Sequence, residues 1–361
     1  MKIGSFTKTD IERAIEPLPR ERYAFLPTPF HKLENISKDY GVNIFFKRED
    51  MSGPSNFGGN KVRKLEFLMG DARQQGYDTM ITVGAFQSNS ATAFIQFCNK
   101  CNIHPVVFLL DNHNCGEPHK VSEYEGNLRL MKLLGAEMHY VPQGNPNEGL
   151  YDEVYRQVDK YKKELEKKGH KVAMLPSGCA ADGAMISYTL AFAEIMEQSK
   201  GLGIKLDYVY NTQGTGGSLP GLIAGKYLMG ADVELRQIMI NPFADDYLCG
   251  TDETIRRVHC ALDYIGIHDY PTDEWIKKQI NPEERFFVEY GYPTEQGNKA
   301  ILELAKREGI FTDTVYSGKG IAGLFEHIKE GLVPQGSNVC FIHSGGTGAL
   351  FAGEEVIGDL L

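Results

Sequence analysis

Asn211-Thr212-Gln213-Gly214-Thr215-Gly216-Gly217-Ser218 lies between a strand predicted over residues 207–211 and an apolar helix that begins near Leu219. Backbone amides and small hydroxyl groups at the start of a helix form a site suited to an anion such as phosphate. The turn lacks the Gly-Lys-Ser/Thr of a P-loop, and it has neither a clean GxGxxG nor the later acidic residue of a dinucleotide site. It therefore indicates either phosphate binding or only a tight connection.

Short β-branched runs alternate with longer amphipathic stretches along the whole chain. The predicted strands cover residues 42–47, 80–84, 105–110, 137–141, 171–175, 207–211, 235–241, 286–290 and 337–343. The predicted helices include residues 60–74, 88–100, 124–134, 151–168, 183–199 and 294–307. Because strands and helices alternate this regularly, the sequence predicts an α/β fold with an open, doubly wound sheet.

Composition limits the classes of function. The chain has 361 residues, of which 42% are hydrophobic, and a net charge of −10. The length predicts two domains or one large α/β body, and the acidic charge argues against nucleic acid as a partner. The first residues contain no apolar signal region, and no run of about 18 apolar residues occurs anywhere, so we expect a cytoplasmic protein outside the membrane.

The seven cysteines are sparse and odd in number, which favours reduced thiols over a disulfide framework. Cys98 and Cys101 form a CxxC pair, but no second pair at zinc-ligand spacing accompanies it. We therefore interpret both as structural thiols and expect no metal site.

Three further segments follow predicted strands, where ligands bind in open α/β sheets. In residues 58–66, two glycines precede Lys61 and Lys64 at a helix start, where cations are unfavourable beside the helix dipole. This segment is either a basic turn in solvent or a site for an anion or a carbonyl compound. Ser88 either only caps the following helix or also takes part in catalysis. His343 is interpreted as a buried structural histidine.

Taken together, these segments resemble the D-cysteine desulfhydrase and 1-aminocyclopropane-1-carboxylate (ACC) deaminase family of pyridoxal 5′-phosphate (PLP) enzymes, related in fold to the tryptophan synthase β subunit. The resemblance spans most of the chain and depends on the order and spacing of its motifs. These are LPTP at 26–29, FKRED at 46–50, residues 58–66, QSN at 87–89, residues 214–222, EYGYP at 289–293, VYSGK at 315–319 and HSGGT at 343–347. It implies PLP fold type II, with two open, twisted, mostly parallel sheets flanked by helices.

The resemblance also implies roles for individual residues, with PLP as the cofactor and Lys61 as the Schiff-base lysine. The cofactor would contact Lys61, Lys64, Asn89, Gly214, Thr215, Gly216, Gly217, Ser218 and Ser317, and its phosphate would lie at Lys64 and the glycine turn. The substrate would contact Gln87, Ser88, Asn89, Tyr290, Tyr316 and Ser344. Lys61, Ser88, Tyr290 and Tyr316 would be the catalytic residues. A lysine among other cations can have a lowered pKa, which lets its amine act as a base at Cα.

For the domains, the resemblance implies a large PLP-binding domain of residues 1–64 and 176–361, with a small domain of residues 65–175. It also implies a homodimer and a small amino acid as substrate. We expect no metal, no nucleic-acid partner and no membrane association.

Two positions favour one activity within the family. In ACC deaminases a glutamate follows the second tyrosine and keeps the cofactor's pyridine nitrogen protonated, whereas this chain has Ser317. A neutral hydroxyl leaves a weaker electron sink, which still suffices to expel a good leaving group from Cβ. Ser344 stands where ACC deaminases have leucine and the desulfhydrases have threonine. We therefore expect β-elimination from D-cysteine to give pyruvate, sulfide and ammonia.

The chain also departs from the desulfhydrase pattern, because Asn89 is followed by Ser90, Ala91 and Thr92 instead of the family's usual His-Val-Arg. This change affects the substrate-contacting loop and leaves the substrate open. The alternatives are an L-cysteate sulfo-lyase that releases sulfite by the same chemistry, an ACC deaminase, and a catalytically idle PLP-binding protein.

Overall fold

Ten strands form two separate sheets in the computed structural model, which describes residues 2–110, 125–141, 152–241, 250–288 and 290–360. The strands are β1 (Phe30–Lys32), β2 (Asn43–Arg48), β3 (Thr79–Ala85), β4 (His104–Leu110), β5 (Glu137–Val141), β6 (Val172–Leu175), β7 (Tyr208–Gln213), β8 (Glu234–Met239), β9 (Pro282–Glu283) and β10 (Asn338–His343). The helices are α1 (Lys8–Ile15), α2 (Glu34–Tyr40), α3 (Lys61–Gln75), α4 (Asn89–Cys101), α5 (Gly126–Leu133), α6 (Asp152–Lys167), α7 (Ile186–Gly201), α8 (Leu219–Met229), α9 (Thr251–Asp263), α10 (Asp273–Lys277), α11 (Glu295–Glu308), α12 (Ser317–Lys329) and α13 (Glu354–Ile357).

The larger sheet has the strand order β1-β2-β10-β7-β8-β9, and only β1 runs antiparallel to its neighbour. The smaller sheet has the order β5-β4-β3-β6 and is parallel throughout. Strands covered on both faces read as continuous apolar runs, and β4, with six consecutive buried residues, is an example. The predicted α/β fold with two mostly parallel sheets is confirmed.

The predicted helices and eight of the nine predicted strands are present, with ends that differ by a few residues. The predicted helix starts at residues 124 and 151 lie outside the described residues. The strand predicted over residues 286–290 is wrong. Pro282 and Glu283 pair with β8 instead, after which the chain turns away from the sheet edge, leaving Val288 66% exposed. This departure brings Tyr290 next to Tyr316 on another element.

All four strands of the smaller sheet lie within residues 79–175, inside the predicted small domain. The predicted boundary between residues 64 and 65 falls within α3. The domain limits and the homodimer remain predictions. In the part of the chain that the structure describes, every helix is too short or too polar to cross a bilayer.

A buried ion network ties the larger sheet to two helices. The Arg63 guanidinium on α3 donates to Glu49 and to Glu194 on α7, each at 2.6 Å. Lys47 on β2 donates to the same Glu194 carboxylate at 2.9 Å. All four side chains are at most 2% exposed. Two cations and two anions balance in charge, and buried charges are tolerated only when they are paired in this way.

We predict that Arg63→Met destabilises the protein by about 3–5 kcal/mol, because it leaves two buried carboxylates without their main partner. Arg73→Met is the matched control on the same helix. Arg73 is 54% exposed and pairs with Glu21 at the surface, so its loss should cost less than about 1 kcal/mol. Urea unfolding followed by circular dichroism measures both, and equal losses would contradict a structural role for the network.

Candidate active site

A cavity lies at the carboxyl ends of β7 and β10, next to the first turns of α3, α4 and α8. Its lining comprises residues 57–61, Lys64, Asn89, Ser90, Gly178, residues 211–218, Tyr316 and residues 344–346. Most of the predicted cofactor residues are therefore brought together. Gln87 and Tyr290 line a second, smaller pocket, and Ser88 and Ser317 line neither.

Lys61 is the first residue of α3, and its amine donates to Oδ1 of Asn60 at 2.6 Å. The amine lies 6.0 Å from the centre of the Tyr316 ring. Burial lowers the pKa of Lys61, and the charge of Asp313 partly opposes this shift. Removal from water thus favours the neutral amine, which is the form that reacts with carbonyl groups and accepts protons.

Lys64 lies one turn further along α3 and is 2% exposed. Burial holds its pKa well below the usual value, and the charges of Lys61 and Arg257 lower it further. A Cβ added at Gly217 would lie 2.7 Å from the Lys64 amine. Glycine at position 217 therefore allows the amine to approach the backbone of the turn as closely as it does.

The turn after β7 presents backbone donors. Gly216 has a φ of +71°, a left-handed conformation that favours glycine. Among the described residues, no acceptor is bonded to the N–H groups of Thr215, Gly216, Gly217 and Ser218. N–H groups at the start of α8, together with the Lys64 amine, are suited to an anion. The phosphate contacts assigned to the turn remain a prediction.

Asn211 and Gln213 were part of the turn noted in the sequence but received no role. Each is 3% exposed, and both amide atoms of each lack a hydrogen-bond partner within the described part of the chain. Buried polar groups in native proteins almost always have partners. These amides line the cavity, so the site fits a polar ligand with several hydrogen-bonding atoms, as a phosphorylated pyridine aldehyde has.

Asn127, at the start of α5, orients the loop before α4 and was missed in the sequence. Its Nδ2 donates to Oδ1 of Asn89 at 2.8 Å and to the Gln87 carbonyl at 3.0 Å. Its Oδ1 accepts from the Thr92 hydroxyl at 3.0 Å. Since the oxygen of the Asn89 amide faces Asn127, its nitrogen is left to donate elsewhere. No pattern in the sequence indicates this contact, because Asn127 lies 38 residues from Asn89.

Ser88 caps α4, because its hydroxyl accepts from the Ala91 N–H at 3.2 Å. The same hydroxyl lies 3.0 Å from that of Ser90. Ser90 and Thr92 replace the family's histidine and arginine, and each forms a hydrogen bond, Ser90 with the nearby Ser88 and Thr92 with the distant Asn127. The replacement therefore exchanges two large basic side chains for two small hydroxyls with partners.

Tyr290 and Tyr316 face each other, with hydroxyl oxygens 2.8 Å apart and ring planes at 78°. Tyr316 lines the main cavity and Tyr290 the second pocket. The pair therefore lies between the two spaces, and its shared hydrogen bond can pass a proton from one oxygen to the other.

Ser317 is held by the buried Asp313. The Asp313 carboxylate accepts the N–H groups of Val315, Tyr316 and Ser317 at 2.8–3.1 Å, and the Ser317 hydroxyl at 2.5 Å. Ser317 is fully buried, whereas Ser344 lines the cavity. Of the two predicted serines, only Ser344 is open to a ligand in the cavity. The cofactor contact assigned to Ser317 remains a prediction.

The surroundings of His343 and of the two CxxC cysteines indicate structural roles. His343 is fully buried, lies 2.9 Å from the Phe311 carbonyl and accepts from the Gly345 N–H. Burial lowers its pKa, which favours the neutral ring. Cys98 and Cys101 are buried on α4. Over the described ranges, no group of three metal-ligating side chains occurs.

A family model, curated relatives and a solved structure all match this chain over most of its length. The family model described as pyridoxal-phosphate dependent enzyme matches residues 22–345. A D-cysteine desulfhydrase of Serratia proteamaculans is 30% identical over 95% of this chain and 98% of its own. A 1-aminocyclopropane-1-carboxylate deaminase of Allorhizobium ampelinum is 28% identical over 93% and 97%. The crystal structure of an ACC deaminase homologue matches with a TM-score of 0.80 and 29% identity, covering 94% of this chain and 96% of that one.

Gly178→Ala tests the packing behind the turn. Gly178 has a φ of +70°, and an added Cβ would lie 2.3 Å from the Thr215 hydroxyl. Gly203→Ala is the matched control, since its φ is +72° and nothing lies within 4 Å. Both variants carry similar backbone strain, about 1–2 kcal/mol. We predict that only Gly178→Ala weakens the binding of pyridoxal phosphate to apoprotein in a titration. Equal affinities in the two variants would contradict this placement of the phosphate.

Proposed function

The chain belongs to the D-cysteine desulfhydrase and ACC deaminase family of pyridoxal-phosphate dependent enzymes, and from that premise we propose that it eliminates the β-substituent of D-cysteine. The products are pyruvate, sulfide and ammonia, and one water is consumed. The broader assignment, a PLP-dependent lyase, follows from the family; the substrate is the proposal.

The residues of the cavity fit the cofactor. The Lys61 amine would be the attachment point for the cofactor's aldehyde. The N–H groups of residues 215–218, which have no acceptor among the described residues, would hold its phosphate together with Lys64. The Asn89 amide nitrogen would donate to the cofactor's phenolic oxygen, and the Ser344 hydroxyl would face its pyridine nitrogen; both residues line the cavity. When bound to the substrate amine, the cofactor withdraws electrons from Cα and so makes its proton removable.

The observation that favours β-elimination is the absence of a carboxylate from the described lining of the cavity, which contains Lys61 and Lys64 as its charged residues. A nearby carboxylate would hold a proton on the pyridine nitrogen. Asp313, a buried acid whose charge affects the pKa of Lys61, already accepts four hydrogen bonds. A neutral hydroxyl beside the ring leaves a moderate electron sink, which suits a substrate with a good leaving group such as a thiol.

The reaction needs two proton transfers, one from Cα and one to the leaving sulfur, and we assign them to Lys61 and to the tyrosine pair. Lys61, with its lowered pKa, takes the proton from Cα once its amine is released. The hydroxyls of Tyr290 and Tyr316, which are hydrogen-bonded to each other, would donate a proton to the departing sulfur. Because the two phenols share one hydrogen bond, a proton given by one can be replaced from the other.

The substrate carboxylate is assigned to the first turn of α4. The N–H groups of Asn89 and Ser90 have no acceptor among the described residues, and a helix N-terminus favours a negative charge. The hydroxyls of Ser88 and Ser90 lie beside them. We assign Ser88 to carboxylate binding for this reason, and Ser90 supports it where the family has a histidine.

Lys61→Ala tests the attachment. We expect a folded, colourless protein whose rate falls by at least about 100-fold, because the general base and the covalent anchor are both lost. Circular dichroism checks the fold, visible absorbance the bound cofactor, and pyruvate formation the rate. Lys163→Ala, at a lysine that is 70% exposed, is the control and should match the wild type. A yellow, active Lys61→Ala protein would rule out the assignment.

A substrate panel separates the candidate activities. We predict the highest kcat/KM for D-cysteine, with pyruvate and sulfide as products, above L-cysteine and above sulfite release from L-cysteate. ACC should give little 2-oxobutyrate, because its ring opening needs a stronger electron sink than a hydroxyl provides. Sulfite release as the fastest reaction would favour the sulfo-lyase, 2-oxobutyrate formation at a comparable rate would favour ACC deamination, and no product from any substrate would favour an idle binding protein.

A further inference from the structure

Arg257 lies on α9, 42 residues beyond the turn that it contacts. Its side chain is only 3% exposed, whereas its neighbour Arg256 is 48% exposed and pairs with Asp182 at the surface. A buried guanidinium is costly unless it is paired, and Arg257 lies 2.7 Å from Glu253. Arg256 pairs with the same Glu253 carboxylate but does so from the surface.

The guanidinium donates to the carbonyl oxygen of Thr215 at 3.1 Å. In a trans peptide the carbonyl and the following N–H point in opposite directions. An arginine bound to the Thr215 oxygen therefore holds the N–H of Gly216 on the far side of the peptide plane. Gly216 has a left-handed φ of +71° and lacks a Cβ that would restrict rotation. The hydrogen bond to Arg257 thus restrains a peptide that the local sequence leaves free to turn.

The same contact brings a second positive charge to the turn. Lys64 is the first: its amine lies beside Gly217 of the same turn, and a phosphate bound there would keep that amine protonated. Two cations and free N–H groups match a phosphate ester, which carries nearly two negative charges at neutral pH. With a single cation, about half of the phosphate's negative charge would be stabilised only by the dipoles of the backbone N–H groups.

We propose that Arg257 is a positioning residue for the cofactor phosphate, which fixes the Thr215–Gly216 peptide so that the Gly216 N–H faces the phosphate and which supplies the second positive charge there. This inference depends on the proposed placement of the phosphate at the turn. Arg257 does not touch the reacting atoms, so its effect is on cofactor binding and not on the chemistry at Cα.

The test compares binding of pyridoxal phosphate with binding of pyridoxal, which lacks the phosphate, to apoprotein by absorbance titration. We expect Arg257→Met to weaken pyridoxal phosphate binding by about 10-fold or more, as loss of a charged hydrogen bond does, and to leave pyridoxal binding unchanged. Arg256→Met is the matched control, one residue away, and should change neither. Arg257→Lys keeps the positive charge but loses the planar guanidinium, so its affinity for pyridoxal phosphate should lie between those of Arg257→Met and the wild type.

Equal losses for both ligands in Arg257→Met would mean a general structural role and would overturn the proposal, as would no change for either ligand. If Arg257→Met does not fold, the same comparison of affinities for pyridoxal phosphate and pyridoxal is made with Arg257→Lys, and a loss limited to pyridoxal phosphate supports the proposal. Failure of the phosphate placement itself has a different signature, because the wild type would then bind pyridoxal as tightly as pyridoxal phosphate.

Discussion

The ion network of Arg63 with Glu49 and Glu194 is the interaction on which the rest of the site depends. Arg63 lies between Lys61 and Lys64 on the first turn of α3. Its hydrogen bonds to Glu49, which directly follows β2, and to Glu194 on α7 fix that turn against the larger sheet. Lys61 and Lys64 are thereby held in a place with little water. Burial lowers the pKa of both amines, so one constraint on the fold sets the surroundings of both the proposed reactive lysine and the proposed anion site.

Three lysines near the site have a lowered pKa, and their contacts separate their roles. Lys61 opens into the cavity beside Tyr316. Lys64 is held at the glycine turn. Lys319 is fully buried, its pKa is lowered to about 8 by burial, and it lies outside the lining of the cavity. A low pKa alone would qualify all three for reaction with an aldehyde, so position relative to the phosphate turn decides among them.

The sequence predicted the parts of the site that are local in the chain. The turn at residues 211–218 combines strand, glycines and helix start within a few residues, and the basic helix start at Lys61 is equally compact. Contacts that join distant segments were not predictable, because nothing near Arg257 or Asn127 indicates Thr215 or Asn89. The strand predicted over residues 286–290 failed for a related reason. Its β propensity is outweighed by the pairing of Pro282 and Glu283 with β8 and by the contact between Tyr290 and Tyr316. Ser317 was assigned by motif, and only the structure shows its hydroxyl bound to Asp313.

The central claim is that one amine, that of Lys61, carries the cofactor. Reduction of the purified holoprotein with borohydride fixes the cofactor to whichever lysine holds it, and mass spectrometry of the digested protein then identifies that residue. We predict a single modified peptide, with the added pyridoxyl phosphate mass on Lys61. Modification at Lys64 or Lys319, or the absence of any modified lysine, would contradict the account.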